Sequence, residues 1–417
     1  MIFSSLLVWI QVLILCVSCD SGPLEDVVID RYDVPKICPR EVQMGDFVRY
    51  HYNGTLKDGL KFDASYDRGL AVAGYVGIGR LITGLDRGIL GMCVNERRKL
   101  IVPPHLGYGS IGVPGMIPAD ATLYFDIILV DVWNKKDEVH ITTLEKPSNC
   151  NRTVQDSDFV RYHYNGTLLD GTYFDSSYSR NTTYNTYIGM GYIIAGMDSG
   201  LQGVCVGEWR RIIIPPHLGY GENGAGESIP GSAVLIFDVH VLDFHNPKDS
   251  VDIEVIYKPE VCNVTSKKGD FIQYHYNCSL MDGTQIFSSY DFKAPQQINL
   301  GANKVIDGLE LGLTGMCVGE KRSLTVPPHL GHGESGARGI PPSAVMRFDV
   351  ELFHREEGFS AFLQAQVKEG KGRFLPGVDR EKSISDMFEH QDRNNDGKIT
   401  ADELKLKTEE ERVHEEL

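Results

Sequence analysis

The 417-residue sequence has no block of basic residues: 41 Lys and Arg stand against 57 Asp and Glu, for a formal charge of −16. Phosphate binding needs clustered cations, so nucleic acid is excluded as the main partner. No stretch beyond the first twenty residues approaches the ~20 apolar residues that a bilayer-crossing helix requires, and no membrane span is expected. With 42% apolar and 24% charged residues the chain is neither a disordered polyelectrolyte nor a membrane bundle. At roughly 100–200 residues per domain, its length predicts two to four folded domains.

The two ends carry addresses rather than fold. Leu6 to Val17 is an apolar run of signal-peptide length, followed by small residues at Ser18 and Cys19, although Met1 to Ser5 bears no positive charge. Residues 1–19 therefore read as a secretory signal, and a run of twelve residues is too short for an uncleaved anchor. The last four residues, His414-Glu415-Glu416-Leu417, resemble the retrieval tetrapeptides of luminal endoplasmic reticulum (ER) proteins. Together the two ends predict residence in the ER lumen and an ER retrieval receptor as a partner.

Nine cysteines are present, of which Cys16 and Cys19 fall in the signal. Cys38 to Cys93, Cys150 to Cys205 and Cys262 to Cys317 are each 55 residues apart, and the first cysteines of these pairs succeed one another at intervals of 112. A fixed period of that size means three copies of one domain. Val48-Arg-Tyr-His-Tyr52, Val160-Arg-Tyr-His-Tyr164 and Ile272-Gln-Tyr-His-Tyr276 keep the register, as do the Pro-Pro-His-Leu-Gly runs from Pro103, Pro215 and Pro327. A crosslink that belongs to a domain recurs with it, so one disulfide per copy is expected in this oxidising compartment, with buried free thiols as the alternative. Each bond would close a ~55-residue loop and stabilise its domain by roughly 3–4 kcal/mol. Cys278 has no counterpart, its equivalents being Gly54 and Gly166; it is either buried or available for intermolecular pairing.

Each copy is rich in strand signals. In Phe47 to Tyr52 the residues Val48, Tyr50 and Tyr52 share one face while Arg49 and His51 share the other. Thr122–Val132, Ala233–Leu242 and Ala344–Phe353 are further β-rich runs, and one short helix per copy is expected near Gly84–Met92 and its equivalents. Strands with a single helix predict an α+β domain, a curved antiparallel sheet around one short helix. Asn134-Lys-Lys-Asp and Asn246-Pro-Lys-Asp recur at the same interval and read as tight linkers. Six Asn-x-Ser/Thr sequons occur, at Asn53, Asn151, Asn165, Asn181, Asn263 and Asn277. Those at Asn53, Asn165 and Asn277 are in register and predict an exposed strand-to-loop turn on every copy.

The run His51-Tyr52-Asn-Gly, then Asp58-Gly-Leu-Lys-Phe62-Asp63, Leu81-Ile82-Thr-Gly84, Pro103-Pro-His-Leu-Gly-Tyr108-Gly109, Ile117-Pro118 and Phe125-Asp126 resembles the FKBP family of peptidyl-prolyl isomerases. The resemblance spans about residues 35 to 355 and rests on order, spacing and aromatic identities together. It implies FKBP-like domains at 24–137, 138–249 and 250–357, then an α-helical EF-hand module at 358–413 and the retrieval signal at 414–417. By the same resemblance Tyr52, Phe62, Ile82, Leu85, Tyr108, Ile117 and Phe125 wall an apolar pocket. The Ile82 N–H and the Tyr108 hydroxyl would then donate to substrate carbonyls, and Asp63 would order the polar edge. Core packing is the competing role for each of these residues.

Domain 2 keeps the set at Tyr164, Phe174, Asp175, Ile194, Met197, Tyr220, Ile229 and Phe237. Where the family prefers a Trp on the pocket floor, the copies have Leu85, Met197 and Leu309, which implies weaker activity and weaker binding of macrolide inhibitors. Domain 3 departs further. Ile286-Phe287 replaces Phe-Asp, His332 replaces the donor tyrosine, and one residue is missing between Gly333 and Pro341, while Tyr276, Ile306, Ile340 and Phe348 remain. Domains 1 and 2 are therefore expected to be active and domain 3 weak or inactive. His51, His163 and His275, on the face away from the pocket tyrosines, are read as surface or sheet-edge residues rather than catalysts.

After Phe353 the sequence turns charged and helical. Asp392, Asn394, Asp396, Lys398 and Glu403 fit the ligand positions of a twelve-residue EF-hand loop, with Gly397 at the turn and Lys398 contributing its carbonyl. One Ca²⁺ is the only cofactor expected, and none is needed for isomerisation. The resemblance to multidomain ER members, which commonly carry four such domains and two EF-hands, implies proline-containing secretory clients. Collagen-like chains are the attractive case, because each cis X-Pro bond blocks triple-helix propagation. The alternative is a non-catalytic chaperone that holds extended Pro-containing segments, with calcium-dependent regulation.

Overall fold

The computed structural model describes residues 26–358 and four isolated helical positions beyond them, Lys382, Asp386, Met387 and His390. The signal at 1–19, the calcium loop at 392–403 and the tetrapeptide at 414–417 lie outside the described residues. Among the described residues no helix is long and apolar enough to cross a membrane.

Three copies of one α+β domain follow one another. Domain 1 contains β1 (Val28–Asp33), β2 (Phe47–Thr55), β3 (Lys61–Ala64), β4 (Val72–Tyr75), α1 (Thr83–Ile89), β5 (Arg97–Val102) and β6 (Leu123–Trp133). Domain 2 repeats them as β7 (His140–Glu145), β8 (Phe159–Leu168), β9 (Tyr173–Ser176), β10 (Tyr184–Tyr187), α2 (Ala195–Leu201), β11 (Trp209–Ile214) and β12 (Leu235–His245). Domain 3 has β13 (Asp252–Tyr257), β14 (Phe271–Leu280), β15 (Gln285–Ser288), β16 (Gln296–Asn299), α3 (Asp307–Leu313), β17 (Lys321–Val326) and β18 (Met346–Glu356). Each sheet is antiparallel, ordered β1-β5-β6-β2-β3 in domain 1, with β4 beside the first half of β2. The strands expected from the β-rich runs end later than the sequence reading placed them, at Trp133, His245 and Glu356, and each has a bulge in its pairing with β2, β8 or β14.

Alternation along β2 puts Val48, Tyr50 and Tyr52 into the core, where Tyr50 is 1% exposed. The helix lies close against this sheet because it carries glycine where it touches. A Cβ on Gly84 would stand 2.2 Å from Val102, and one on Gly88 2.2 Å from Leu100; the paired glycines of α2 and α3 are held as tightly. The last carbonyls of α1 and the turn after it, which the helix cannot satisfy itself, accept from Arg98: Gly88 at 2.9 Å, Leu90 at 2.8 Å and Gly91 at 2.6 Å. Buried Glu96 neutralises Arg98 at 2.6 Å and takes the Cys93 N–H at 2.8 Å. Glu208–Arg210 and Glu320–Arg322 repeat the device.

The three expected disulfides are present, Cys38–Cys93, Cys150–Cys205 and Cys262–Cys317, with Cα separations of 5.5, 5.8 and 5.7 Å. Cys278 is the buried alternative, not an intermolecular thiol. Two expectations need correction. The in-register sequon asparagines are exposed but do not sit at turns: Asn53 lies within β2, paired with Ala64 on one side and Asp126 on the other. His51 is half-buried on an interior strand, not at a sheet edge, because β3 and β4 cover the flank of β2. Its Nδ1 meets Ser65 Oγ at 3.0 Å, and that hydroxyl oxygen accepts the Tyr52 N–H at 2.9 Å. The same Ser bridge recurs at His163 and His275, so these histidines brace the strand that carries the pocket tyrosine.

Candidate functional site

In domain 1 the aromatic candidates come from β2, β3 and β6, which present them to one another. Tyr52 and Phe125 meet edge to face at 5.8 Å, and Phe62 meets Phe125 at 5.6 Å. Leu85 on α1 and Ile117 in the long loop before β6 are buried in the same apolar cluster as Tyr52 and Phe125. Ile82 immediately precedes α1 in an extended conformation, its carbonyl accepting from Leu85 and Asp86 at 2.9 and 3.1 Å. Tyr108 follows the Pro-Pro-His turn and is 42% exposed, as is Tyr220 in domain 2.

At the polar edge the Tyr52 hydroxyl donates to Asp63 Oδ2, and Arg68 binds Asp63 Oδ1 with one nitrogen and the Tyr52 oxygen with another, the latter at 3.3 Å. Domain 2 reproduces this with Tyr164, Asp175 and Arg180. Burial raises the Tyr52 phenol above its usual range and its bond to Asp63 adds to that; the Tyr164 phenol is pushed up to about 12 for the same two reasons. Burial pulls Asp63 and Asp175 upward as well, but the tyrosine and arginine bonds outweigh it and hold both carboxyls below their usual value. At neutral pH the edge is therefore a protonated tyrosine bound to an ionised carboxylate, and the tyrosine proton is already committed. Neither arginine was found by sequence reasoning. The signal was available, since each stands five residues after its aspartate in both copies and is Phe292 in domain 3.

In domain 2 a cavity of about 370 Å³ gathers Tyr164, Ile194, Met197, Tyr220 and Phe237 from the candidate set, together with Tyr184 and Tyr192. Phe174 stands behind Phe237 at 5.5 Å rather than on the cavity wall, and Ile229 is packed into the domain core. Tyr184, which the sequence reading missed, lies edge-on to Tyr164 at 6.0 Å and takes the place of Val72 in domain 1.

Domain 3 shows how the same framework is emptied of its polar edge. A Cβ on Gly54 would lie 2.6 Å from the Phe62 ring, and one on Gly166 2.6 Å from that of Phe174, so a pocket phenylalanine requires glycine opposite it. Domain 3 exchanges both partners at once, Cys278 for the glycine and Ile286 for the phenylalanine. The Cys278 side chain is fully buried and its thiol is pushed up to about 12 by burial, so it is inert at neutral pH. Phe287, in the position of Asp63, packs edge-on to Tyr276 at 6.2 Å, and Phe348 remains 6.1 Å from the same ring.

A model of the family described as FKBP-type peptidyl-prolyl cis-trans isomerase matches residues 38–130, 150–242 and 262–353. The chain is 53% identical over 544 aligned positions to a Bos taurus protein named peptidyl-prolyl cis-trans isomerase FKBP10, covering 95% of this chain and 93% of that one. It is equally identical to the Homo sapiens protein of that name, covering 95% of this chain and 94% of that one. Against Homo sapiens peptidyl-prolyl cis-trans isomerase FKBP9 the identity is 51% over 397 positions, covering 87% of this chain and 70% of that one.

Proposed function

The chain belongs to the family of FKBP-type peptidyl-prolyl cis-trans isomerases, and on that premise we propose how its three domains divide the work. The protein is a peptidyl-prolyl isomerase. Rotation about an X-Pro bond faces a barrier of about 18–20 kcal/mol because the twisted amide loses its resonance. No covalent step or external proton is needed. A site accelerates the rotation by favouring the twisted, less polar amide in a dry apolar pocket and by donating to its carbonyl.

In our reading the proline ring enters between Tyr52, Phe62, Phe125 and Ile117 in domain 1. In domain 2 it enters between Tyr164, Met197 and Phe237, which line the cavity, with Phe174 behind them. The Ile82 and Ile194 N–H groups and the Tyr108 and Tyr220 hydroxyls donate to substrate carbonyls. Tyr52 and Tyr164 are not the donors, because their protons serve Asp63 and Asp175. The aspartate–arginine pair instead fixes the rim and presents a fixed dipole to the rotating amide. The observation that carries this division is the Tyr–Asp–Arg cluster, repeated in domains 1 and 2 and absent from domain 3. It is tested in the full chain with Asp63→Val and Asp175→Val together, which should leave little catalysis of X-Pro exchange above background. Retention of most of the rate would defeat it.

Residence in the ER lumen and retrieval through His414–Leu417 fit a chain whose described domains each hold a disulfide. Proline-rich secretory chains, collagen-like ones among them, are the clients we propose. The Asp392–Glu403 loop would add one Ca²⁺, held by Asp392, Asn394, Asp396, the Lys398 carbonyl and Glu403. The surviving apolar wall of domain 3 favours a holding role for that domain alongside catalysis in the other two.

A further inference from the structure

The domains meet at two junctions of the same construction. A bulge near the end of β6 brings Asp131 opposite Arg49 of β2, with the guanidinium 3.5 Å from Oδ2. The same oxygen accepts the backbone N–H of Val234, which belongs to domain 2, at 3.1 Å. Trp133, 4% exposed, lies 6.0 Å from the ring of His217 in the Pro-Pro-His turn of domain 2. One repeat later, Asp243 pairs with Arg161 at 2.6 Å and accepts the N–H of Val345 in domain 3. There His329 of domain 3 reaches the Asp249 carbonyl at 2.9 Å.

The linkers are tied down in the same way. Arg40 binds Asp46 at 2.6 Å and also binds Asp137, and Asn134 reaches Asp46 at 3.0 Å. Arg152, Asp158, Asp249 and Asn246 repeat the arrangement.

Each face has a natural control within the chain. Pro216, Ala233 and Val234 are buried in domain 2, as are Pro328, Ala344 and Val345 in domain 3. Their counterparts Pro104, Ala121 and Thr122, in the domain that has no described domain before it, are partly exposed. On the opposite face, Val132-Trp133 and Phe244-His245 are buried, whereas domain 3 ends its last strand with half-buried His354 and Arg355 and exposed Glu356. The charged set is lost there together: Arg40, Arg49 and Asp131 become Val264, Gln273 and His354. Five buried polar atoms without a hydrogen-bond partner fall at the two junctions, namely Asp131 Oδ1, Trp133 Nε1, Arg161 Nε, Asp243 Oδ1 and His245 Nδ1. Such a concentration marks surfaces dried by docking rather than by the fold of either domain.

We propose that Arg49–Asp131 and Arg161–Asp243 are interdomain clamps, each receiving a backbone N–H of the following domain and fixing consecutive domains in one orientation. An ion pair buried this way adds little net stability but enforces one arrangement, since undocking leaves the pair solvated, whereas misdocking buries its carboxylate without the backbone N–H of the following domain. The clamps hold the pockets of domains 1 and 2 at a set separation, so two sites acting on one client chain have a defined span.

Small-angle X-ray scattering on the full chain tests this with two changes. Asp131→Ala with Asp243→Ala should broaden the pair-distance distribution and raise the radius of gyration, while circular dichroism and the X-Pro isomerisation rate stay at wild-type values. A Gly/Ser insertion between Lys135 and Lys136 opens the Asn134–Asp137 turn but touches neither Arg49–Asp131 nor Val234, and it should leave the scattering unchanged, because the clamp rather than the linker sets the orientation. Wild-type scattering from the double variant, or broadening by the insertion alone, would overturn the proposal.

Discussion

Domains 1 and 3 share a sheet order, a disulfide, a helix seated on glycines and a buried Glu–Arg pair, yet only domain 1 has a polar rim on its pocket. The difference is confined to a few positions that change together. Cys278 with Ile286 preserves volume where Gly54 with Phe62 did so before, and Phe287 with Phe292 removes the carboxylate and its arginine at once. The scaffold is thus insensitive to the identity of the rim, while the rim depends on the scaffold for its placement. Domain 2 varies in the other direction, keeping the rim and adding Tyr184 to the wall.

The comparison can be broken at the scaffold first. Reducing the disulfides should destabilise all three domains alike, by roughly 3–4 kcal/mol each for loops of this length, as read by denaturant unfolding with and without reductant. A loss confined to domains 1 and 2 would mean that domain 3 is held differently. Gly54→Cys alone should cost domain 1 about 1–3 kcal/mol through overpacking against Phe62, and adding Phe62→Ile should recover most of that loss. Thermal unfolding of the two variants decides, and an equal loss in both would remove the steric coupling.

The rim comes next. In a chain whose domain 2 rim is disabled by Asp175→Val, Tyr108→Phe should slow the remaining isomerisation by about tenfold, or ~1.4 kcal/mol, without changing the unfolding midpoint. The smallest effect is that of pH. The rim tyrosines titrate above their usual range and the aspartates below theirs. A carboxylate with a lowered folded value keeps its contribution above its ordinary pKa and loses it only as pH falls through the lowered one. The rate should therefore be flat between about pH 5 and 9, and a step near neutrality would point to a titrating group outside the rim.

Much of this was legible in the sequence because the repeat supplied its own alignment. The 112-residue period carried the domain count and the disulfide pairing, and alternation along Phe47–Tyr52 carried the buried face. Arg68 and Arg180 were not legible from local pattern, since a charged residue in a short turn reads as solvated surface until its distance to Asp63 or Asp175 is known. The sequon asparagines were misread as turn residues because a sequon reports exposure, and one face of a central strand is exposed as readily as a turn. Asp131 and Asp243 carry no mark in the sequence; each meets a backbone N–H of the neighbouring domain, which no single-domain pattern encodes.

The central claim is that catalysis follows the Tyr–Asp–Arg rim, domain by domain. It is tested most directly by measuring X-Pro isomerisation in three full-length chains: Asp175→Val, which leaves the rim of domain 1, Asp63→Val, which leaves that of domain 2, and the double variant, which leaves only the rimless domain 3. The account predicts substantial rates from the first two chains and a rate near background from the third. A third chain as fast as either of the others would contradict it.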